Sequence, residues 1–273
     1  MIDLARPFLL IAFFSFIYIY NLDLFSHSNS ITFFNVGQGD AIYIKSADDK
    51  RILIDAGPSN NLSEHLGLYF FPFLCRFDYV IITHPHEDHV GGLSNVFSDC
   101  RVGEVIMPKF DYNSLVFQKI LETIRSKNIP ILHVEDKQKI IFNDFVLYFL
   151  SPDYEFLANE TNPNNFSIVL LLDSFAFEAL LMGDLEKEGQ EKIDINFLKE
   201  LVDGHLDVIK VAHHGAKDSL NEKFLENFEI DTAVISVGKN KFGHPHKEVL
   251  EFYNKNASFV TRTDFDNNIR FSF

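Results

Sequence analysis

The feature that most constrains this chain is the run Thr83-His84-Pro85-His86-Glu87-Asp88-His89, which issues from the apolar stretch Tyr79 to Thr83. Such a stretch predicts a buried strand, so the ligand-type side chains His84, His86, Asp88 and His89 emerge from one tight loop at its C-terminal end. Alternation sends His84 and His86 the same way, while a turn into a following helix lets Asp88 and His89 face a neighbouring position. Imidazole and carboxylate together suit zinc, manganese or iron, and two ions about 3.5–4 Å apart can share such a cluster. A chance surface grouping of these residue types is the weaker reading.

The remaining pattern reads as mixed α/β. Strands are expected at Ile31 to Asn35, Ala41 to Lys45, Arg51 to Asp55, Glu104 to Met107, Ile131 to Val134, Ile140 to Phe142 and Val146 to Leu150. Helices are expected near Asn61 to Phe71, after Gly91-Gly92, and over Ser114 to Ser126, where Leu115, Ile120, Leu121 and Ile124 have helical spacing. The Asn-rich loop Asn159 to Asn165 divides the chain. Beyond it come strands at Ser167 to Leu172, Phe177 to Met182, Val208 to Ala212, Thr232 to Val237 and Phe259 to Thr263, separated by helices near Glu186 to Leu201, Leu220 to Phe228 and Lys247 to Tyr253. Two β-rich halves with outward helices predict two sheets packed face to face.

At 273 residues with 47% hydrophobic side chains, the chain can fill a sizeable core. Its net charge of −15 excludes binding of nucleic acid through a broad basic surface, so a polyanion would have to be attracted locally. Cys75 and Cys100 are the only cysteines. The economical reading is two buried thiols; a bridge would suit an exported domain, and it requires Cα atoms closer than sequence can establish.

Phe8 to Tyr20 is apolar except for Ser15 and follows Arg6. That length suits a signal-peptide core and falls short of the roughly 20 residues of a full membrane span. Residues 1–30 are therefore expected to be a signal peptide or membrane anchor with a short linker, placing residues 31–273 at the membrane or outside it. A buried N-terminal strand in a cytoplasmic chain is the alternative.

The histidine motif has companions in order: Ile52-Leu53-Ile54-Asp55-Ala56-Gly57 before it and Leu181-Met182-Gly183-Asp184 after it. Together they resemble the metallo-β-lactamase superfamily, which implies a four-layer αββα sandwich of two mixed sheets, with Asp55 orienting the metal loop and Asp184 bridging two ions. A closer resemblance is to the hydrolase domain of the ComEC/Rec2 competence proteins. It is carried by Phe34-Asn35-Val36-Gly37-Gln38-Gly39-Asp40-Ala41, Asn165-Phe166-Ser167, Val208-Ile209-Lys210-Val211-Ala212-His213-His214-Gly215 and Gly243-His244-Pro245-His246. Residues 31–273 then form one hydrolase domain, without the membrane channel of the full competence protein.

The resemblance implies a metal set of His84, His86, Asp88, His89, Asp184, His213 and His214, with zinc or manganese favoured. Adjacent strand residues face opposite ways, so only one of His213 and His214 is expected to ligate, and which one stays open. Between His89 and Asp184 the only histidine is His133, read as a strand or surface residue, which leaves the first metal position open. Gln38, Asp40, Asp55, Asn165 and Ser167 are expected to contact substrate or support the ligands. His244 is expected to be an acid or phosphate contact, and His246 a helix N-terminal residue.

The implied activity is phosphodiester hydrolysis by a hydroxide shared between two ions. Asp88 and Asp184 belong to the reacting centre, and His213 or His244 supplies a proton. The implied substrate is single-stranded DNA, with Lys210, Lys217, Lys239 and Lys241 as a small basic patch. An exported phosphodiesterase on wall or lipid phosphoesters is the alternative enzyme, and a binding module that keeps only the fold is the alternative from another class.

Overall fold

In Ile52-Leu53-Ile54 the two isoleucines enter one apolar interior and Leu53 another, and Leu170-Leu171-Leu172 behaves the same way. Strands apolar on both faces need cover on both, which a pair of stacked sheets with outer helices supplies. A computed structural model describes residues 28–59, 61–69, 75–109 and 112–273 and has this architecture. Residues 1–27, which hold the expected anchor, lie outside the described residues. Among the described residues no helix is long and apolar enough to cross a membrane.

Strands β1 (Ser30–Phe33), β2 (Ile42–Lys45), β3 (Arg51–Ile54), β4 (Arg76–Ile81), β5 (Arg101–Met107) and β6 (Ile131–His133) lie side by side in chain order. Strands β7 (Lys139–Ile141), β8 (Phe145–Phe149), β9 (Leu170–Ser174), β10 (Phe177–Leu181), β11 (His205–Lys210), β12 (Glu229–Ile235) and β13 (Ala257–Arg262) form the second sheet, also in chain order. Each sheet is antiparallel through its first strands and parallel afterwards, from β3 to β6 and from β10 to β13. One core fills the space between the sheets and two more lie under the outer helices. Each buried aliphatic side chain contributes roughly 1.5–3 kcal/mol relative to exposure.

Three elements differ from expectation. A last strand, β14 (Ile269–Ser272), pairs antiparallel with β1, setting Ile31 opposite Phe271, and the Phe273 ring stacks on Phe177 at 4.6 Å. The expected helix over Glu186 to Leu201 is two, Lys187–Gln190 and Ile195–Val202, because Asp194 accepts from the Phe197 amide and caps a new start. The helix expected over Leu220 to Phe228 is only Glu222–Leu225.

Cys75 and Cys100 are joined in a disulfide, which corrects the reading of two buried thiols. They stand just before β4 and β5, whose register pairs Arg76 with Arg101 and brings the cysteine Cα atoms to 4.7 Å. Both are half-buried.

Candidate metal centre

The carboxyl ends of the parallel strands meet on one rim of the sandwich. Asp55 follows β3, the histidine run follows β4, Asp184 follows β10, and His213-His214 follow β11. Asp55 is fully buried with φ of 56°. Its Oδ1 accepts from the Thr83 amide at 2.9 Å, and its Oδ2 accepts from the Thr83 hydroxyl at 2.6 Å and from His89 Nδ1 at 2.7 Å. Burial raises its carboxyl pKa, with the His89 charge and the Thr83 hydrogen bonds pulling the other way.

These contacts settle which imidazole nitrogens face inward. With His89 Nδ1 donating to Asp55, Nε2 of the ring is left 3.1 Å from Asp184 Oδ2. The Thr83 hydroxyl proton is given to Asp55, so the oxygen accepts from His84 Nδ1 at 3.1 Å and leaves His84 Nε2 facing Asp184 Oδ2 at 3.8 Å. His214 Nδ1 donates to the Ser236 carbonyl at 2.8 Å, which aims Nε2 at Asp184 Oδ2 and Asp88 Oδ2, each 3.4 Å away. His213 Nε2 adds a fourth imidazole 3.8 Å from the same Asp184 oxygen. His86 Nδ1 lies 3.2 Å from His84 Nε2.

Asp184 is held from behind. Its amide donates to Ser167 Oγ at 3.1 Å, and Gly183, with φ of 52°, packs where a Cβ would meet the Ser167 side chain at 3.0 Å. Lys210 is fully buried: its Nζ donates to the Gly183 carbonyl at 2.8 Å, contacts Asp40 Oδ2 and lies 3.5 Å from Asp184 Oδ1. Gly39 has φ of 136°, and any Cβ there would collide with the Asp88 carbonyl at 2.1 Å, so the loop carrying Asp40 can sit directly on the metal loop.

The donors fit a cation. His89 Nε2, His214 Nε2 and Asp40 Oδ1 are buried without a hydrogen-bond partner, and Asp88, His89, Asp184 and His214 each offer an atom within 4.8 Å of the others. The charges agree. Burial opposes a proton on His214, yet Asp184 and Asp40 lift its pKa to about 9; burial opposes one on His89 too, and Asp184 with Asp55 raises it well above the ordinary value. His84 goes the other way, well below, through burial and the neighbouring His89 charge. Asp184 is held well below the carboxylate range: burial acts against ionisation, and His214, His89, His213 and Lys210 outweigh it. Asp88 is also lowered, burial again being outweighed, by His214 and His89.

The other residues singled out in the sequence take varied places. Asn165 Nδ2 donates to Glu160 at 2.7 Å and its Oδ1 accepts from the Glu186 amide at 3.3 Å, so it pins the flanking loop. Gln38 Oε1 accepts from the Gly238 amide at 3.4 Å, joining two rim loops. The His244 ring lies 5.4 Å from that of His213; burial, followed by the charges of His213 and His214, lowers its pKa to about 4. His246 stands at the start of the helix Lys247–Asn256. His133 is exposed on β6, against the Met107 carbonyl. The expected lysine patch does not form as one surface, because Lys210 is buried in the centre and Lys217 pairs with Glu248 at 2.9 Å.

Thr83, Ser236 and Lys210 were not among the residues expected to support the site. A lysine inside the apolar run Val208 to Ala212 was the one available signal, since such a strand position is buried. The Ser236 contact is made by a main-chain carbonyl and leaves no side-chain signal.

Comparison with known proteins agrees with this geometry. Residues 34–239 match the Metallo-beta-lactamase superfamily. The chain is similar to ComE operon protein 3 of Bacillus subtilis, 29% identical over 91% of this chain and 33% of the relative. It is also similar to Recombination protein 2 of Haemophilus influenzae, 29% identical over 88% of this chain and 28% of the relative. The chain thus spans a third or less of these relatives. Among solved structures, the metallo-beta-lactamase fold protein YhfI of Bacillus subtilis superposes with a TM-score of 0.58 at 11% identity, covering 90% of this chain and all of that one. With a family match over most of its length, two stacked sheets and a buried His/Asp cluster at their shared rim, the chain belongs to the metallo-β-lactamase superfamily.

Proposed function

We propose that the protein is a two-metal phosphodiesterase whose substrate is a nucleic acid strand. The observation that carries this reading is the convergence of four imidazoles on one oxygen of Asp184, with the other oxygen facing Lys210. His84, His86 and Asp184 would hold one ion, and Asp88, His89, Asp184 and His214 the other. Two divalent ions supply an activated water at neutral pH and positive charge against that building on phosphorus.

The chain's own residues do the rest. Asp55 and Thr83 fix the rings of His89 and His84, and the Ser236 carbonyl fixes His214, so the donor geometry is set before a ligand arrives. Lys210 balances Asp40 and Asp184 where water is excluded. His213 has Nε2 on the reacting side and Nδ1 3.8 Å from both Glu186 and Asp218, an arrangement suited to giving a proton to the leaving oxygen. His244, with a pKa near 4, is neutral at pH 7, so its proposed role is contact with substrate rather than proton donation.

Similarity to ComE operon protein 3 and Recombination protein 2 supports DNA as the strand. The Cys75–Cys100 bridge, with the apolar stretch before residue 30, supports residence in an oxidising compartment at or beyond the membrane. The test is hydrolysis of bis(p-nitrophenyl) phosphate and labelled single-stranded DNA after loading with zinc or manganese. Activity on both, lost in His86→Ala, is expected; equal activity in the variant would overturn the reading, and cleavage of the small diester alone would remove DNA as substrate.

A further inference from the structure

We infer that Phe242 is a base-stacking platform that seats a nucleotide of a single-stranded DNA substrate beside the metal centre, an inference that rests on the phosphodiesterase reading above. Phe242 is 57% exposed, yet its ring is tied to the site: it lies 5.6 Å from the His244 ring, which in turn lies 5.4 Å from that of His213. The loop that carries it is fixed. Asn240 Oδ1 accepts from the amides of Phe242, Gly243 and His244 at 2.9–3.1 Å, while its Nδ2 donates to the carbonyls of Gly238 and His244. An apolar ring held out to solvent on a stapled loop loses little conformational entropy when a flat partner covers it.

The surroundings select the partner. Lys239 and Lys241 precede Phe242 in the same loop and are exposed, and among the described residues neither meets a carboxylate, although the chain carries a net charge of −15. Lys241 Nζ lies 5.7 Å from the Phe242 ring centre. A cation beside an exposed aromatic ring, with a second on the same loop, matches a strand that presents phosphates and π-faces together, whereas a lipid or wall phosphoester offers the phosphate without the flat ring. At the other end of the imidazole row, Tyr112 lies 6.0 Å from His86 and supplies a second aromatic edge.

The test is fluorescence anisotropy with the full chain, using labelled phosphorothioate oligothymidylate and an abasic strand of the same length. Phe242→Ala is expected to weaken oligothymidylate binding by about 5- to 150-fold, the usual cost of removing a stacking ring, while abasic binding is unchanged and Phe242→Tyr retains affinity. Equal binding by wild type and Phe242→Ala, an equal loss on the abasic strand, or no binding by the wild type would overturn the inference. Hydrolysis of bis(p-nitrophenyl) phosphate, measured in parallel, separates the two readings. A chain that binds through Phe242 but cleaves no diester contradicts the phosphodiesterase alone; one that cleaves the diester but ignores oligothymidylate contradicts the platform alone.

Discussion

His89 Nε2 lies 3.1 Å from Asp184 Oδ2 while Nδ1 of the same ring lies 2.7 Å from Asp55, so one imidazole joins the metal loop of the first sheet to the acidic turn of the second. With metal ions held as proposed, protons and metal would compete for the same nitrogens, and most of the expected behaviour follows from that competition.

Metal-free stability should fall as pH rises. The pKa of His214 is about 9 in the fold against an ordinary 6.5, and that of His89 is also raised. The stabilisation from the His214 proton is complete below about 6.5 and is lost as pH rises through about 9, and that from the His89 proton is lost in the same direction. Metal binding has the opposite dependence, strengthening as these rings give up their protons. Thermal unfolding with and without chelator between pH 6 and 9 checks both signs; parallel curves would contradict the competition.

Asp55→Asn keeps the size of the side chain but weakens its hold on His89 and Thr83. An expected 10- to 100-fold loss of metal affinity follows from what such supporting groups contribute elsewhere. Isothermal titration with zinc or manganese measures it, and unchanged affinity would show that Asp55 only supports the fold.

Lys210→Met strips a buried cation from Asp40 and Asp184. Breaking the buried Lys210–Asp40 pair from one side should cost about 3–5 kcal/mol in the metal-free protein. Adding Asp40→Asn to the variant should recover part of that loss, because the two residues form one pair. Urea denaturation of the four proteins in the cycle gives the coupling.

Removing the Cys75–Cys100 bridge, which closes a 25-residue separation, should destabilise the fold by about 3 kcal/mol. Reductant should reproduce the effect on the wild type and leave Cys75→Ser/Cys100→Ser unchanged.

Much of this could be read from the chain because strand ends are local. His84 through His89 follow one apolar run, Asp55 and Asp184 follow two others, and the short apolar runs themselves marked the central strands. What escaped was long-range or irregular. β14 pairs with β1 across nearly the whole chain, and the cysteines meet only through the β4–β5 register. His213 and His214 both have positive φ, 47° and 55°, outside any strand, so alternation could not distinguish them. Their difference comes from the Ser236 carbonyl, which turns His214 Nε2 toward Asp88 and Asp184.

The most direct test of the central claim is the metal content of the purified, zinc- or manganese-loaded chain, measured by plasma mass spectrometry beside Asp184→Asn. The account predicts two ions per wild-type chain and a marked loss in the variant, since Asp184 would be the oxygen donor common to both positions. A wild-type chain that retains no metal, or a variant that retains as much, would contradict it.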